Sequence, residues 1–188
     1  MFSPERALAQ SFSLALDTDR NIRMDKTKEI IEELKRSYAI ELEMMQNCLA
    51  NSINLDGANA EPIRKSLEDE VALKLKHARR LAKRINVLGG RLPGSLELSR
   101  DQILLQPPSD NTDAMAVIRG VIGTNEASIN QYQKIIHLTE GLDYVTQDMV
   151  IDLLSDEREL RRLFLSFLTE YEQCTLSIHG VPKKGSAS

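Results

Sequence analysis

Four long stretches of helical periodicity are joined in this sequence by two short connections and one long connection. The stretches cover residues 24–54, 61–89, 112–139 and 144–172, and a shorter stretch at 3–16 predicts a short N-terminal helix. Only the connection between the second and third stretches is long, at about twenty residues, which reach about 66 Å when extended. A 29-residue helix measures about 43 Å, so this segment can run the full length of a bundle. The pattern predicts an all-α four-helix bundle with one long crossover.

Composition favours helices and excludes several classes of partner. The 188 residues include no Trp, and 24 Lys plus Arg face 28 Asp plus Glu, so the net charge of −4 gives no basis for binding nucleic acid. No run of about 18 apolar residues is present, which predicts no membrane association and a cytoplasmic location. Cys48 and Cys174 lack metal-type spacing and are expected to be free thiols. We expect one domain over residues 1–175 and a flexible tail over 176–188.

Three of the helical stretches each place one glutamate in an otherwise apolar stripe. Glu41 lies in the stripe from Ile31 to Cys48, Glu126 in that from Met115 to Ile136, and Glu157 in that from Val150 to Tyr171. A carboxylate buried in such a stripe costs several kcal/mol unless it is paired or bound to a cation. Taken singly, each glutamate is also consistent with a solvated edge of its helix.

The second stretch is more polar on its inner face. Glu70, Lys74 and His77 follow each other there at steps of four and three residues. Taken alone, His77 is also consistent with a hydrogen-bonded core histidine. Three glutamates and a histidine converging in one core instead indicate a site for iron, manganese or zinc.

Four segments resemble the ferritin-like superfamily, and in particular its bacterioferritin and Dps-like branch. They read YAIELEMMQNCLANSINLDG, KHARRLAKRINVLGGRLP, NEASINQYQKIIHLTEG and DYVTQDMVIDLLSDEREL. In that family two helices each supply one Glu and the other two each supply Glu-x-x-His. The resemblance implies iron oxidation or storage, with iron or another divalent metal held by Glu41, His77, Glu126 and Glu157.

Two departures from the family pattern alter this expectation. Lys74 stands where the second helix would carry its bridging Glu, and Leu160 stands where the fourth would carry its His. An ammonium group among buried carboxylates can supply the charge that a cation otherwise brings. We therefore expect a partly dismantled dinuclear site that binds one metal weakly or none, and sequence alone leaves open whether the chain is an enzyme. Haem is not expected, because the family's haem-ligating Met is Leu75 here.

The alternative function is that of a non-catalytic scaffold that forms a homo-oligomer, as a dimer or a larger assembly. The end of the chain, TLSIHGVPKKGSAS, faintly resembles the peptides that load cargo into encapsulin shells, which would make such a shell a partner. A basic face on the second helix, formed by Arg79, Arg80, Lys83 and Arg84, indicates a solvated surface or a partner contact.

Overall fold

The computed structural model describes the backbone of residues 4–178 and the side chains of residues 23–174. Within these bounds the chain forms four helices and no strand, which confirms the predicted all-α bundle. The helices are α1 (Pro4–Asn54), α2 (Glu61–Val87), α3 (Ala114–Thr139) and α4 (Tyr144–Ile178). None of the described helices is both long enough and apolar enough to cross a membrane.

The helix ends follow local sequence signals. Pro62 lies in the first turn of α2, and Gly89, with φ of +83°, ends it. Asp113 caps α3 by accepting a hydrogen bond from the amide of Ala116 at 2.9 Å. Gly141, with φ of +69°, makes the tight turn between α3 and α4.

Two predictions about the ends of the chain need correction or lie beyond the described residues. The short helix predicted at 3–16 is not a separate element, because α1 continues without a break from Pro4 to Asn54. The tail predicted at 176–188 lies mostly outside the described residues, and α4 itself runs to Ile178.

The crossover, residues 88–113, is held against α1 by directed hydrogen bonds. The amides of Asp101 and Gln102 donate to the carboxylate of Glu43 at 2.9 and 3.1 Å. Asn51 Nδ2 donates to the carbonyl oxygen of Leu105 at 2.9 Å. On the α3 side, a Cβ at Gly120 would lie 2.4 Å from the carbonyl oxygen of Leu104. The crossover therefore lies over the groove between α1 and α3. It buries a side of α3 that would otherwise be exposed to solvent.

The interior has two apolar clusters with polar side chains between them. The first cluster includes Met44, Leu67, Leu105, Leu160 and Phe164, near the end of the bundle where α1 ends. The second, at the opposite end, includes Leu34, Leu81, Ile135, Val150 and Leu153. Cys48 is buried in the first cluster, Cys174 is exposed, and both are free thiols.

Candidate functional site

The middle of the bundle contains a polar layer to which every helix contributes. Its members are Glu41 from α1, Lys74 and His77 from α2, Asn125 and Tyr132 from α3, and Glu157 from α4, and each is at most 1% exposed. Charges withdrawn from water this completely are stable only when they are paired. The layer therefore depends on how its charges are arranged.

Lys74 lies among three carboxylates. Its Nζ donates a short hydrogen bond to Glu157 Oε1, and it lies 3.7 Å from Glu41 Oε2 and 3.8 Å from Glu70 Oε2. Burial alone would lower the pKa of Lys74, but the three carboxylates outweigh this effect and raise the pKa above its ordinary value. Lys74 is therefore an ammonium at neutral pH.

His77 also faces carboxylates with both of its ring nitrogens. Its Nδ1 lies 3.3 Å from Glu41 Oε2 and 3.5 Å from Glu157 Oε1, and its Nε2 lies 3.0 Å from Asp156 Oδ2. Burial lowers the pKa of His77, but the contacts with Glu157 and Glu41 outweigh this and raise it to about 9. At neutral pH the ring is an imidazolium cation.

The two fully buried carboxylates have neutral donors as well as these cations. Tyr132 donates its hydroxyl hydrogen to Glu41 Oε1 at 2.7 Å, and Asn125 Nδ2 donates to Glu157 Oε2 at 2.6 Å. Burial would raise the pKa of Glu157, but Lys74 and His77 hold it below its ordinary value. Two cations thus balance the charges of Glu41 and Glu157.

Glu70 lies at the edge of this balanced group. It is 8% exposed, and burial raises the pKa of its carboxyl to about 7, above the ordinary value. In and beside the layer, four side-chain atoms have no hydrogen-bond partner within the described part of the chain: Glu41 Oε2, Glu70 Oε2, His77 Nδ1 and Asn125 Oδ1. Glu41, Glu70 and His77 interact here mainly through their charges, at N–O distances of 3.3 to 3.8 Å, rather than through well-directed hydrogen bonds.

The structure brings together three of the four predicted site residues. Ligand atoms of Glu41, His77 and Glu157 all lie within 4.8 Å of one another. The prediction that Glu126 faces the core is wrong, because its side chain is exposed and the neighbouring Asn125 is buried instead. The crossover covers the side of α3 that carries Gly120. The buried face of α3 is therefore centred about one residue position away from the face that the apolar stripe predicts.

Beside this layer, further charge pairs that the sequence did not indicate join α2 to α4 and to Asp143, the residue just before α4. Arg80 Nη2 lies 2.9 Å from Asp152 Oδ2. Arg84 Nη2 makes two contacts with the Asp143 carboxylate, at 2.7 and 2.8 Å. Together with His77 and Asp156 these pairs form a ladder along the α2–α4 contact. The predicted basic face is therefore two groups of residues. Arg80 and Arg84 form these ion pairs, whereas Arg79 and Lys83 are exposed to solvent.

The donor set does not fit a pair of metal ions. The Lys74 ammonium, which cannot ligate a cation, lies between Glu41 and Glu157, and Asn125 directs its Nδ2 donor at the Glu157 carboxylate. Leu160 is 4% exposed and packs in the first apolar cluster, so it offers no ligand. What remains is one histidine and two carboxylates beside a fixed positive charge.

Comparison with known proteins agrees with this architecture. The profile of the ferritin-like domain family matches residues 31–174, so this chain belongs to the ferritin-like domain family. A comparison with curated protein sequences gives no match.

Solved structures with the same fold cover most of the chain. A dodecameric thioferritin, the bacterioferritin-related protein of Bacteroides fragilis, superposes with a TM-score of 0.71 at 21% identity, covering 86% of this chain and 98% of that one. A Dps protein from Vibrio cholerae O1 gives 0.69 at 17% identity, over 77% of this chain and 92% of that one. A ferritin-like diiron-carboxylate protein from Bacillus anthracis str. Ames gives 0.66 at 22% identity, over 76% and 97%.

Proposed function

We propose that this chain is a ferritin-like subunit that does not assemble a dinuclear iron centre. The observation that carries the proposal is the buried Lys74 ammonium in contact with Glu157 and close to Glu41. In this proposal Lys74 and protonated His77 balance the buried carboxylates, as metal ions do in diiron-carboxylate proteins. The chain keeps the fold of an iron-handling family without its oxidation chemistry.

The number of remaining ligands supports this proposal. The family arrangement has six ligands, one Glu from each of two helices and Glu-x-x-His from each of the others. Here Glu41, His77 and Glu157 remain, whereas Lys74, Asn125 and Leu160 occupy the other positions. Oxidation by a metal pair needs both ions, so we propose that this activity is absent.

A single divalent ion is the most that this site accommodates, and we propose that it binds weakly if at all. Glu41, His77 and Glu157 could supply three ligands. Binding would require His77 to lose its extra proton and Glu157 to leave its short contact with Lys74. Both steps make metal binding less favourable than in a bundle that has the full set of ligands.

Metal analysis of the purified protein tests the proposal. The wild-type chain, loaded anaerobically with ferrous iron and desalted, is expected to retain no more than one iron per subunit and to consume no oxygen above the uncatalysed rate. The triple variant Lys74→Glu, Asn125→Glu, Leu160→His restores six ligand positions and is expected to retain more iron than wild type. Two irons per wild-type subunit would overturn the proposal.

A matched control separates the site from the general charge of the helix. Lys76→Glu makes the same charge change two residues away, at an exposed position of α2. It is expected to leave iron retention at the wild-type level. The single variant Lys74→Glu, which is expected to raise iron retention, is measured beside it. An equal increase in Lys76→Glu would mean that surface charge, not the polar layer, controls metal uptake.

The second candidate is a non-catalytic scaffold that assembles with copies of itself. It is favoured by exposed apolar side chains such as Leu49, Ile53, Leu96 and Ile103, which are 49 to 100% exposed in the isolated chain. As one form of this function we propose cargo of an encapsulin-type shell, supported only by the sequence of the tail. Co-purification with such a shell, compared between the full chain and one ending at residue 174, tests that form.

A further inference from the structure

A cavity of about 450 Å³ lies between α1, the crossover and α3. Six residues between positions 32 and 43 line it from α1, six between 93 and 102 line it from the crossover, and Thr124, Ala127 and Gln131 line it from α3. We call it the crossover cavity. Its volume is typical of sites that bind small molecules. No member of the polar layer lines it, so its chemistry is separate from that of the layer.

The wall that α3 contributes to the crossover cavity contains a hydroxyl group without a partner. Thr124 is 4% exposed, and its Oγ1 forms no hydrogen bond within the described part of the chain. A buried hydroxyl in this state is unfavourable, and a bound molecule with an amide group would satisfy it. Ala39 of α1 and Ala127 of α3 also line the cavity. Their side chains end at Cβ, which leaves room for such a molecule.

The end of the crossover cavity at Arg36 is positively charged. Lys35 and Glu32 form an ion pair there, with 2.7 Å between Nζ and Oε1, so their charges cancel. Glu33 is instead shared by two cations, because its Oε1 lies 3.1 Å from Arg36 Nη1 and 2.9 Å from Lys134 Nζ. One positive charge of this group therefore remains uncompensated beside the cavity.

The end of the crossover cavity at Glu43 is negatively charged. The Glu43 carboxylate accepts hydrogen bonds from the amides of Asp101 and Gln102, at 2.9 and 3.1 Å. These donors are neutral, so they do not compensate its charge. Asp101 is exposed, lines the cavity and adds a second carboxylate at this end. The neighbouring Arg100 donates to Gln46 Oε1 at 3.4 Å, and neither of these two residues lines the cavity.

The two charged ends are set apart along α1. Seven residues separate Arg36 from Glu43, which is about 10.5 Å along the helix axis. The remaining acid of the wall, Glu97, pairs with Arg91 and does not alter this polarity. A molecule that carries a carboxylate at one end and an ammonium at the other complements both ends of the cavity. Two or three extended amino-acid residues span about 7–10 Å, which matches this separation.

We propose that the crossover cavity binds a short peptide of two or three residues in its zwitterionic form. The terminal carboxylate of the peptide faces Arg36, and its terminal ammonium faces Glu43 and Asp101. A peptide bond between them pairs with the Thr124 hydroxyl. This binding does not depend on metal in the polar layer or on assembly, so it goes beyond the proposed function.

Equilibrium dialysis of the full chain against radiolabelled trialanine tests the proposal. Saturable binding of one peptide per chain is expected, with a dissociation constant below about 1 mM. Two analogues compete with the labelled peptide in the same experiment: N-acetyl-trialanine lacks the ammonium, and trialanine amide lacks the carboxylate. Each is expected to bind about tenfold more weakly than trialanine, because each loses one charge-assisted contact.

Substitutions at the two ends of the cavity are expected to affect different peptides. Arg36→Gln is expected to weaken trialanine about tenfold and trialanine amide much less, because the amide has no carboxylate to lose. Asp101→Asn is expected to weaken trialanine and to spare N-acetyl-trialanine. Thr124→Val keeps the shape of the side chain without its hydroxyl, and it is expected to weaken all three peptides by about threefold to tenfold.

Matched variants outside the cavity control for charge and volume. Lys28→Gln and Asp69→Asn make the same charge changes at exposed positions of α1 and α2, and both are expected to leave trialanine binding unchanged. Ala127→Leu fills the cavity and is expected to abolish binding, whereas Ala72→Leu, at an exposed position of α2, is expected to have no effect. Far-ultraviolet circular dichroism confirms that every variant is folded.

Three results would overturn the proposal. The first is a wild-type chain that binds no trialanine at concentrations up to about 10 mM. The second is equal affinity of the wild-type chain for all three peptides, because binding would then not depend on the two charged ends. The third is unchanged binding in Ala127→Leu, which would place the peptide at another surface.

Discussion

The polar middle layer and the apolar clusters on either side of it are equally buried but are stabilised in different ways. Leu34, Leu81 and Phe164 have 0% exposure, as do Glu41, Lys74 and Glu157. Apolar packing is non-directional and tolerates changes that conserve volume. A buried charge instead requires its partner, so removal of a single cation affects the whole layer. The ends of the bundle are therefore expected to tolerate substitutions that conserve volume, whereas the middle is expected to be sensitive to the loss of a single charge.

The largest expected effect follows from removing the central cation. Lys74→Met keeps the side chain long but leaves His77 as the only buried cation beside Glu41 and Glu157, and it is expected to cost about 3–5 kcal/mol of unfolding free energy. The double variant Lys74→Met, Glu157→Met is expected to recover most of this loss. Urea unfolding of both variants measures the effect. If the two substitutions are additive, the two side chains do not act as a pair.

An apolar-layer variant provides the contrast. Leu81→Ala removes a fully buried side chain of the second cluster and is expected to cost about 2–5 kcal/mol. This substitution changes no charged group, so the loss of unfolding free energy relative to wild type is expected to be the same at pH 6 and pH 9. A difference that changes strongly between these pH values would show that the two regions are not energetically separate.

The pH dependence of stability distinguishes the regions further. The pKa of His77 is raised from 6.5 to about 9 in the folded protein, so protonation favours folding. The stabilisation is complete below pH 6.5 and is lost as the pH rises to about 9, by an amount on the order of 3 kcal/mol at most. Denaturation profiles at several pH values measure it.

His77→Gln serves as the control for this pH effect. The variant cannot bind the extra proton at this position, so its stability is expected to change less between pH 6.5 and pH 9 than that of wild type. Equal slopes would assign the effect to other groups, such as Glu70, whose pKa of about 7 also makes stability fall as the pH rises.

The smallest expected effect is at the exposed part of the α2–α4 ladder. The side chains of Arg80 and Asp152 are 32% and 62% exposed, so Arg80→Gln is expected to cost less than about 1 kcal/mol. Arg84→Gln is expected to cost more, because the Arg84 and Asp143 side chains are each only 15% exposed and make two contacts. Thermal unfolding at low and high salt compares them, and equal losses would contradict this ranking.

Sequence predicted the bundle well because helix periodicity and connection length are local properties. The bounds of α3 and the start of α2 agree with the predictions to within two residues. The continuous α1 was missed because nothing in residues 17–23 shows whether two neighbouring helical stretches join. The contacts of Glu43 and Asn51 with the crossover were also missed, since they join residues more than fifty positions apart.

Within the site, prediction succeeded where a helix has a narrow apolar stripe. The positions of Glu41, Lys74, His77 and Glu157 in the core agree with the structure. The prediction for α3 was wrong. Apolar residues such as Val121 and Ile122 are adjacent there, so the spacing of apolar residues does not determine which face of α3 is buried. The stripe through Ile122 and Ile129 predicts Glu126 in the core, whereas the structure buries Asn125. Asp156 gave no signal, because its contact with His77 depends on how α2 and α4 approach each other.

Lys74 has a consequence for the life of the protein in a cell. A cofactor must be acquired after synthesis, and a fold that needs one is weakened by starvation or chelators. A side-chain amine is present in every copy from translation onward and has no dissociation constant. On the proposed function, the persistence of this protein would therefore be independent of iron supply.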